Sequence, residues 1–163
     1  FGRIGQALAK LAIGAGMRVI FSDIHNDDVE VSLDFFDGQS ATFTCKNVGF
    51  EGVLAESDFI SLHVPGGDLI GAAELAKMKD GVFLLNAARG GVINEEALLD
   101  ALESGKVAGA GLDVFKNEPT PAIKVLMNGK VSLTPHIGAA TGEAQDRIGT
   151  ELAAHIDALA AEA

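Results

Sequence analysis

The chain is short of cysteine, of positive charge and of long apolar runs, and each shortage narrows what it can be. Its one cysteine is Cys45. An internal disulfide is therefore excluded, no zinc-like spacing of cysteine and histidine exists, and no metal is expected. The setting read from this is reducing and cytoplasmic. Lysine and arginine total 12 against 23 aspartates and glutamates, a formal net charge of −11. Non-specific nucleic-acid binding depends on clustered basic groups, so nucleic acid is not an expected partner. That field also repels a small anionic ligand, whose capture would need local positive groups. No apolar run approaches the ~20 residues that span a bilayer. No charged-then-apolar leader opens the chain, and no membrane partner is expected. Proline is scarce, at four residues.

What is present fits a single globular domain. The 163 residues are enough for a sizeable core, and a hydrophobic content of 48% argues against disorder. Twenty glycines suit many tight turns between strands and helices. Ile4, Leu8, Leu11 and Ala12 recur at helical spacing until Gly14-Ala15-Gly16. Residues 17–21 then read as a strand. Val29, Val31, Leu33 and Phe35 alternate with polar residues, as do Ala41, Phe43 and Cys45 beyond the turn signal Asp37-Gly38. A β-hairpin over 29–47 is predicted. Helices at 50–56, 72–78 and 95–104, the last with Asn94 as N-cap, then alternate with strands at 58–64, 81–87, 107–114 and 131–134. Ala144, Ile148, Leu152 and Ile156 share one face of a terminal helix. Such alternation implies a doubly wound parallel sheet of the Rossmann type, with the hairpin as an insertion.

Two chemistries stand out against this scaffold. Phe1-Gly2-Arg3-Ile4-Gly5 carries the last two glycines of a G-x-G-x-x-G fingerprint, so the helix they open can receive a pyrophosphate at its amino end. The first glycine and the feeding strand are absent, and the chain starts at Phe rather than Met. An amino-terminally incomplete chain is the expectation. Asp23, 18 positions beyond Gly5 at a strand end, can accept hydrogen bonds from an adenosine ribose and would repel a 2′-phosphate. A plain turn-forming role is its alternative. Arg89 follows the apolar run Val82-Phe83-Leu84-Leu85 within Asn86-Ala87-Ala88-Arg89-Gly90-Gly91, which places it at the carboxyl end of a strand. Ligands of open α/β sheets bind at that edge, and a guanidinium fork can grip a carboxylate there. The bland alternative is a surface arginine.

Of the four histidines, His25 and His155 read as solvated bystanders, while His63 ends a strand and could line a cleft. His136 follows Thr134-Pro135 at the carboxyl edge, and Glu118-Pro119 follows another strand. A carboxylate, an imidazole and an arginine gathered there would make an acid–base site.

Together with Gly111-Leu112-Asp113-Val114-Phe115 and His136-Ile137-Gly138-Ala139-Ala140-Thr141, these segments resemble the NAD-dependent D-2-hydroxyacid dehydrogenases along nearly the whole chain. The tail from His136 and the Phe35-Phe36-Asp37-Gly38-Gln39 hairpin are most similar to the branch that oxidises 3-phosphoglycerate in serine synthesis. The resemblance implies that Arg89 holds the substrate carboxylate, His136 exchanges the hydroxyl proton and Glu118 supports it. It further implies NAD as cofactor. Gly2, Arg3, Ile4 and Gly5 would lie at the pyrophosphate and Asp23 at the ribose. Val64, Pro65, Ala87, Ala88, Arg89, Asp113, His136, Gly138 and Ala139 would line the rest, with Asp113 at the nicotinamide carboxamide. Residues 1–140 would form the dinucleotide-binding domain and 141–163 a helix leading towards a substrate domain absent from this sequence. A small 2-hydroxy acid is the implied substrate and a homodimer or larger homo-oligomer the implied assembly. One departure is a short loop, Gly66-Gly67-Asp68, where similar enzymes carry a longer polar one. Hydroxypyruvate, glyoxylate and lactate reductases are rival readings, as is a non-catalytic NAD-binding or dimerisation module. A pure sensor needs none of the Arg89, Glu118 and His136 trio.

Overall fold

A computed structural model of the chain describes residues 1–25 and 27–161. Asn26 of the polar turn and the last two residues of the expected terminal helix lie outside them. Helix α1 (Arg3–Gly14) ends at Ala15, with Gly16 at φ 82° completing the expected stop. Its packing differs from expectation. Gly5 and Ala9 are the buried positions, with Ile13 packed beside them, whereas Ile4 and Leu11 are each 73% exposed. Close approach selects the small-residue face, one step round the helix from the large apolar stripe.

Strand β1 (Ile20–Phe21) is shorter than the expected 17–21. Strands β2 (Val29–Asp34) and β3 (Ser40–Asn47) form the predicted antiparallel hairpin, with Val29 opposite Cys45 and Asp34 opposite Ser40. Its role needs correction. Strand β3 runs parallel to β1, Ile20 facing Lys46, so β3 belongs to the sheet of β1 and β2 alone is the addition, at its edge. The reason is burial: Val31 and Cys45 share a small core with Ala9 and Phe21, which anchors the hairpin to the body.

Helix α2 (Gly49–Glu56), strand β4 (Phe59–Leu62), helix α3 (Ala72–Lys77), strand β5 (Val82–Asn86), helix α4 (Glu95–Ser104) and strand β6 (Val107–Leu112) follow in the expected alternation. Asn94 caps α4 by accepting from the Ala97 N–H at 3.1 Å, and Gly105, at φ 80°, closes its far end. A one-turn helix α5 (Ile123–Leu126) was not foreseen, being too short to show a period. Strand β7 (Val131–Leu133) and helix α6 (Gly142–Ala161) complete the order, and no residue of α6 is buried.

Strands β4-β5-β6-β7 form a wholly parallel sheet in that order, and β1-β3-β2 a second one. The expected single sheet is thus divided: among the described residues, no strand joins β1 to β4. The start of α1 touches both parts. Phe1 stacks on Phe21 with ring centroids 4.1 Å apart, and the Cβ position of Gly5 lies 3.7 Å from the His63 ring beyond β4. The larger core, around Leu54, Leu84, Leu98, Leu102 and Val107, belongs to the four-stranded sheet. Fully burying each such side chain contributes roughly 1.5–3 kcal/mol, so this half dominates the stability. Parallel strands are usually covered on both faces. Here Val82, Leu84 and Asn86 of β5 point into the core, while Phe83 and Leu85 face outward and Phe83 stacks on Phe59 at 5.0 Å. Among the described residues no helix is long and apolar enough to cross a membrane.

Candidate active site

The carboxyl ends of β5, β6 and β7 build one locus. Strand β5 ends in Asn86, a buried amide that ties its own loop together. Its Nδ2 donates to the Arg89 carbonyl at 3.0 Å, and its Oδ1 accepts from the Ala88 N–H at 3.1 Å. The chain therefore folds back over Ala87 and buried Ala88, and presents Arg89 to solvent at the edge. Within the described residues only Nη1 of its guanidinium is engaged, donating to the Ala88 carbonyl at 2.6 Å. Most of the fork stays open to an anion. Asn86 was not singled out from the sequence. Its signal was a polar residue closing an otherwise apolar strand.

Asp113, just beyond β6, is also buried. Its Oδ1 accepts from Thr134 Oγ1 at 2.6 Å and from the Ile137 N–H at 2.8 Å, and its Oδ2 accepts from the Gly138 N–H at 2.9 Å. Desolvation, the largest influence, pushes its pKa up, yet these three bonds and the nearby His136 hold it below the usual aspartate value. Asp113 thus clamps the loop after β7. A Cβ on Gly138 would lie 3.1 Å from Asp113 Oδ2, which explains a glycine there. A carboxylate offers about four acceptor sites. Three are used, leaving one on Oδ2 for an outside donor.

That clamp sets His136, whose backbone takes the left-handed region at φ 54°. A non-glycine residue there costs roughly 1–3 kcal/mol and persists only where its surroundings fix it. Its Nδ1 lies 2.7 Å from Glu118 Oε2, and Glu118 Oε1 accepts from the Phe115 N–H at 2.9 Å. The His136 bond first, then the Phe115 bond, hold the Glu118 carboxyl below the usual glutamate value, while the charge of Asp113 opposes them. Glu118 is thus an ionised partner for His136. The structure brings Glu118 and His136 together.

The residues expected at the cofactor are spread over both parts of the sheet, those of α1 and Asp23 with β1, and Val64 and Pro65 after β4. Gly2 caps α1 with no side chain and the first turn holds no acidic residue, so its N–H groups stand open to an anion. Arg3, however, turns away: its Nη1 reaches Glu151 Oε1 and Oε2 of α6, each at 2.9 Å. Surface pairing with a carboxylate competes with any role at a pyrophosphate. Ile4 is likewise exposed. Asp23 follows β1, accepts from the His25 N–H at 3.2 Å and pairs with the Phe1 amino group. Val64 is half-buried and Pro65 exposed beyond β4, where His63 Nε2 lies 3.0 Å from Ser61 Oγ. The short 66–68 loop closes directly, because the Leu69 and Ile70 N–H groups both donate to the Val92 carbonyl, at 3.1 and 2.9 Å. It is stitched to the segment that follows Arg89. Ala139 is exposed, its carbonyl accepting from Gln145 Nε2 at 2.6 Å. His25 and His155 are exposed, and no cluster of metal-ligating side chains exists among the described residues.

A parallel sheet whose helix start can take a pyrophosphate, with an arginine and a His–Glu pair at its carboxyl edge, defines a dehydrogenase-type dinucleotide-binding domain. Comparison with known proteins narrows this. Residues 1–138 match the model of the D-isomer-specific 2-hydroxyacid dehydrogenase NAD-binding domain, and the chain belongs to that family of NAD-using oxidoreductases. It is 45% identical over 159 residues to a hydroxypyruvate reductase of Thermotoga maritima, covering 93% of this chain and 48% of the relative. It is 42% identical over 156 residues to a D-3-phosphoglycerate dehydrogenase of Mycobacterium leprae, covering 93% of this chain and 28% of that one. The crystal structure of a glyoxylate reductase from Paecilomyes thermophila superposes with a TM-score of 0.76 at 41% identity, covering 90% of this chain and 43% of the other. The chain therefore spans half or less of each of these relatives.

Proposed function

We propose that the protein carrying this chain oxidises a D-2-hydroxy acid with NAD, and that its substrate is 3-phospho-D-glycerate, converted to 3-phosphohydroxypyruvate for serine synthesis in the cytoplasm. The observation that carries the dehydrogenase reading is the 2.7 Å pair of His136 Nδ1 and Glu118 Oε2, on the loops after β7 and β6, at the same sheet edge as the open Arg89 fork after β5. Removing hydride from an alcohol carbon requires the hydroxyl proton to leave. Because Nδ1 faces Glu118, Nε2 is the atom that takes that proton, and the ionised Glu118 stabilises the imidazolium formed. Arg89 grips the substrate carboxylate and so orients the reacting carbon. Bound NAD supplies the hydride acceptor. The residues present fit it: the α1 start, without a side-chain cap, would take the pyrophosphate, the spare acceptor on Asp113 Oδ2 would suit a carboxamide N–H, and Asp23 would suit an adenosine ribose. Asp23 also disfavours a 2′-phosphate, and no arginine follows within residues 24–28 to neutralise one.

In this reading residues 1–140 are the cofactor domain, and α6 leads towards a substrate domain in a homo-oligomeric enzyme. The choice of phosphoglycerate rests on the tail from His136 and on the Phe35–Gln39 hairpin, and the likeness to the mycobacterial enzyme supports it. The likeness to the Thermotoga enzyme favours hydroxypyruvate as the second reading. The test is kcat/KM of the intact polypeptide for 3-phosphoglycerate, D-glycerate and glycolate with NAD. A preference for 3-phosphoglycerate is expected, and a preference for D-glycerate would move the assignment to the second reading.

A further inference from the structure

We propose that Gly90 is a positioning residue that aims the Glu118–His136 pair, through direct packing of the Arg89 loop on the backbone of Phe115. A Cβ built on Gly90 would overlap the Phe115 carbonyl and lie 3.1 Å from the Lys116 nitrogen. The loop after β5 therefore rests on the loop after β6 without a side chain between them. Neither loop is free to retreat. The first is tied by buried Asn86 at both Ala88 and Arg89. The second is pinned by the buried Phe115 ring and by the Lys116 N–H, which donates to Glu95 Oε1 of α4 at 2.7 Å. Phe115 is the residue whose N–H donates to Glu118 Oε1, and the other oxygen of Glu118 meets His136. A methyl group at position 90 must therefore displace the turn of residues 115–118 and swing Glu118 away from the imidazole. The titratable groups that bear on Glu118 are His136 and Asp113. The geometric coupling stands on the structure alone. Its consequence for turnover rests on the dehydrogenase reading.

The test is Gly90→Ala, with Gly111→Ala as control because a Cβ there meets Leu85 only at an ordinary 3.7 Å. In the 163-residue chain, carbon-13 titration of the Glu118 carboxyl should give a midpoint below the usual glutamate value. In Gly90→Ala that midpoint should rise and the Phe115 amide proton should stop following it, while Gly111→Ala changes neither. A folded Gly90→Ala with both signals unchanged overturns the proposal. Should Gly90→Ala fail to fold, the unaltered chain decides, since coupling is reciprocal. Gly90 and Phe115 resonances must then shift with the Glu118 midpoint, and a Gly90 signal indifferent to Glu118 protonation overturns it. In the intact enzyme, Gly90→Ala should lower kcat by the order of 10²-fold, the scale of a misplacement of about 1 Å. The KM for NAD should stay near that of the parent. If the carboxyl signals respond but kcat is unaltered, the coupling stands and its catalytic consequence is overturned, whereas a parent enzyme with no turnover of a 2-hydroxy acid overturns the dehydrogenase reading alone.

Discussion

In the proposed function Arg89 binds and the His136–Glu118 pair transfers the proton, and substitutions should separate the two. Arg89→Lys keeps the charge but loses the planar fork, so it should raise KM for the hydroxy acid more than KM for NAD in steady-state assays of the intact enzyme. His136→Gln removes the usable proton acceptor and should cut kcat by about 10²–10⁴-fold. Glu118→Gln acts on pH dependence. Oxidation needs a neutral imidazole, and Gln no longer stabilises the imidazolium. The acidic limb of the oxidation profile should therefore move to lower pH, and reduction should also fall off at lower pH than in the parent. Paired forward and reverse pH–rate profiles check this; two unmoved limbs with chemistry rate-limiting would remove Glu118 from its role. The placement of these three side chains at the strand ends was legible because each is a chemically distinctive type that follows a strand pattern. Asn86 and Gly90 were harder to read. Their work is done through hydrogen bonds and contacts across two loops, which one-dimensional spacing does not record.

Elements whose pattern repeats within a single stretch were read closely, as in α4, bounded by Asn94 and Gly105 as their chemistry demands. Pairings between distant stretches were not. The parallel partnership of β3 with β1 depends on where Cys45 packs, and alternation alone describes the hairpin equally well as an outlying insertion. The outward turn of Ile4 and Leu11 is of the same kind, because a helical period fixes a stripe but not which neighbouring stripe is packed. The loop after β7 offers a test at this scale. In Asp113→Asn one oxygen becomes an NH₂ group facing donors, so the bonds from Thr134, Ile137 and Gly138 cannot all survive. Breaking these part-buried bonds to a buried side chain should cost about 1 kcal/mol, read as a lower unfolding midpoint in urea. Exchange of the Ile137 and Gly138 amides should accelerate while that of Leu84 in β5 changes no more than global stability requires.

The whole molecule should be acid-sensitive, because Asp28, Glu74, Asp80, Asp113 and Glu118 are all held below their ordinary values of 3.8 and 4.5. Each binds its proton more weakly when folded. Their contributions are complete above the ordinary values and are lost as pH falls through the lowered ones. The melting temperature by circular dichroism should therefore fall below about pH 4, the ordinary carboxylate range. A midpoint that rose from pH 5 to pH 3, as relief of the net negative charge alone would give, contradicts this. The division of the sheet has another consequence, written in sulfur chemistry. Cys45 lies in the small core of the β1-β3-β2 part, and burial pushes its thiol pKa up. Only the exposed thiolate attacks an aromatic disulfide reagent, so labelling must await an opening of that part. Its rate should then time those openings, running slower than for a free thiol yet faster than exchange of the Leu84 amide in the larger core. Equal opening free energies from the two probes would mean that both parts come apart as one. Unequal ones would let a single atom serve as a stopwatch for the part of the protein that carries Asp23.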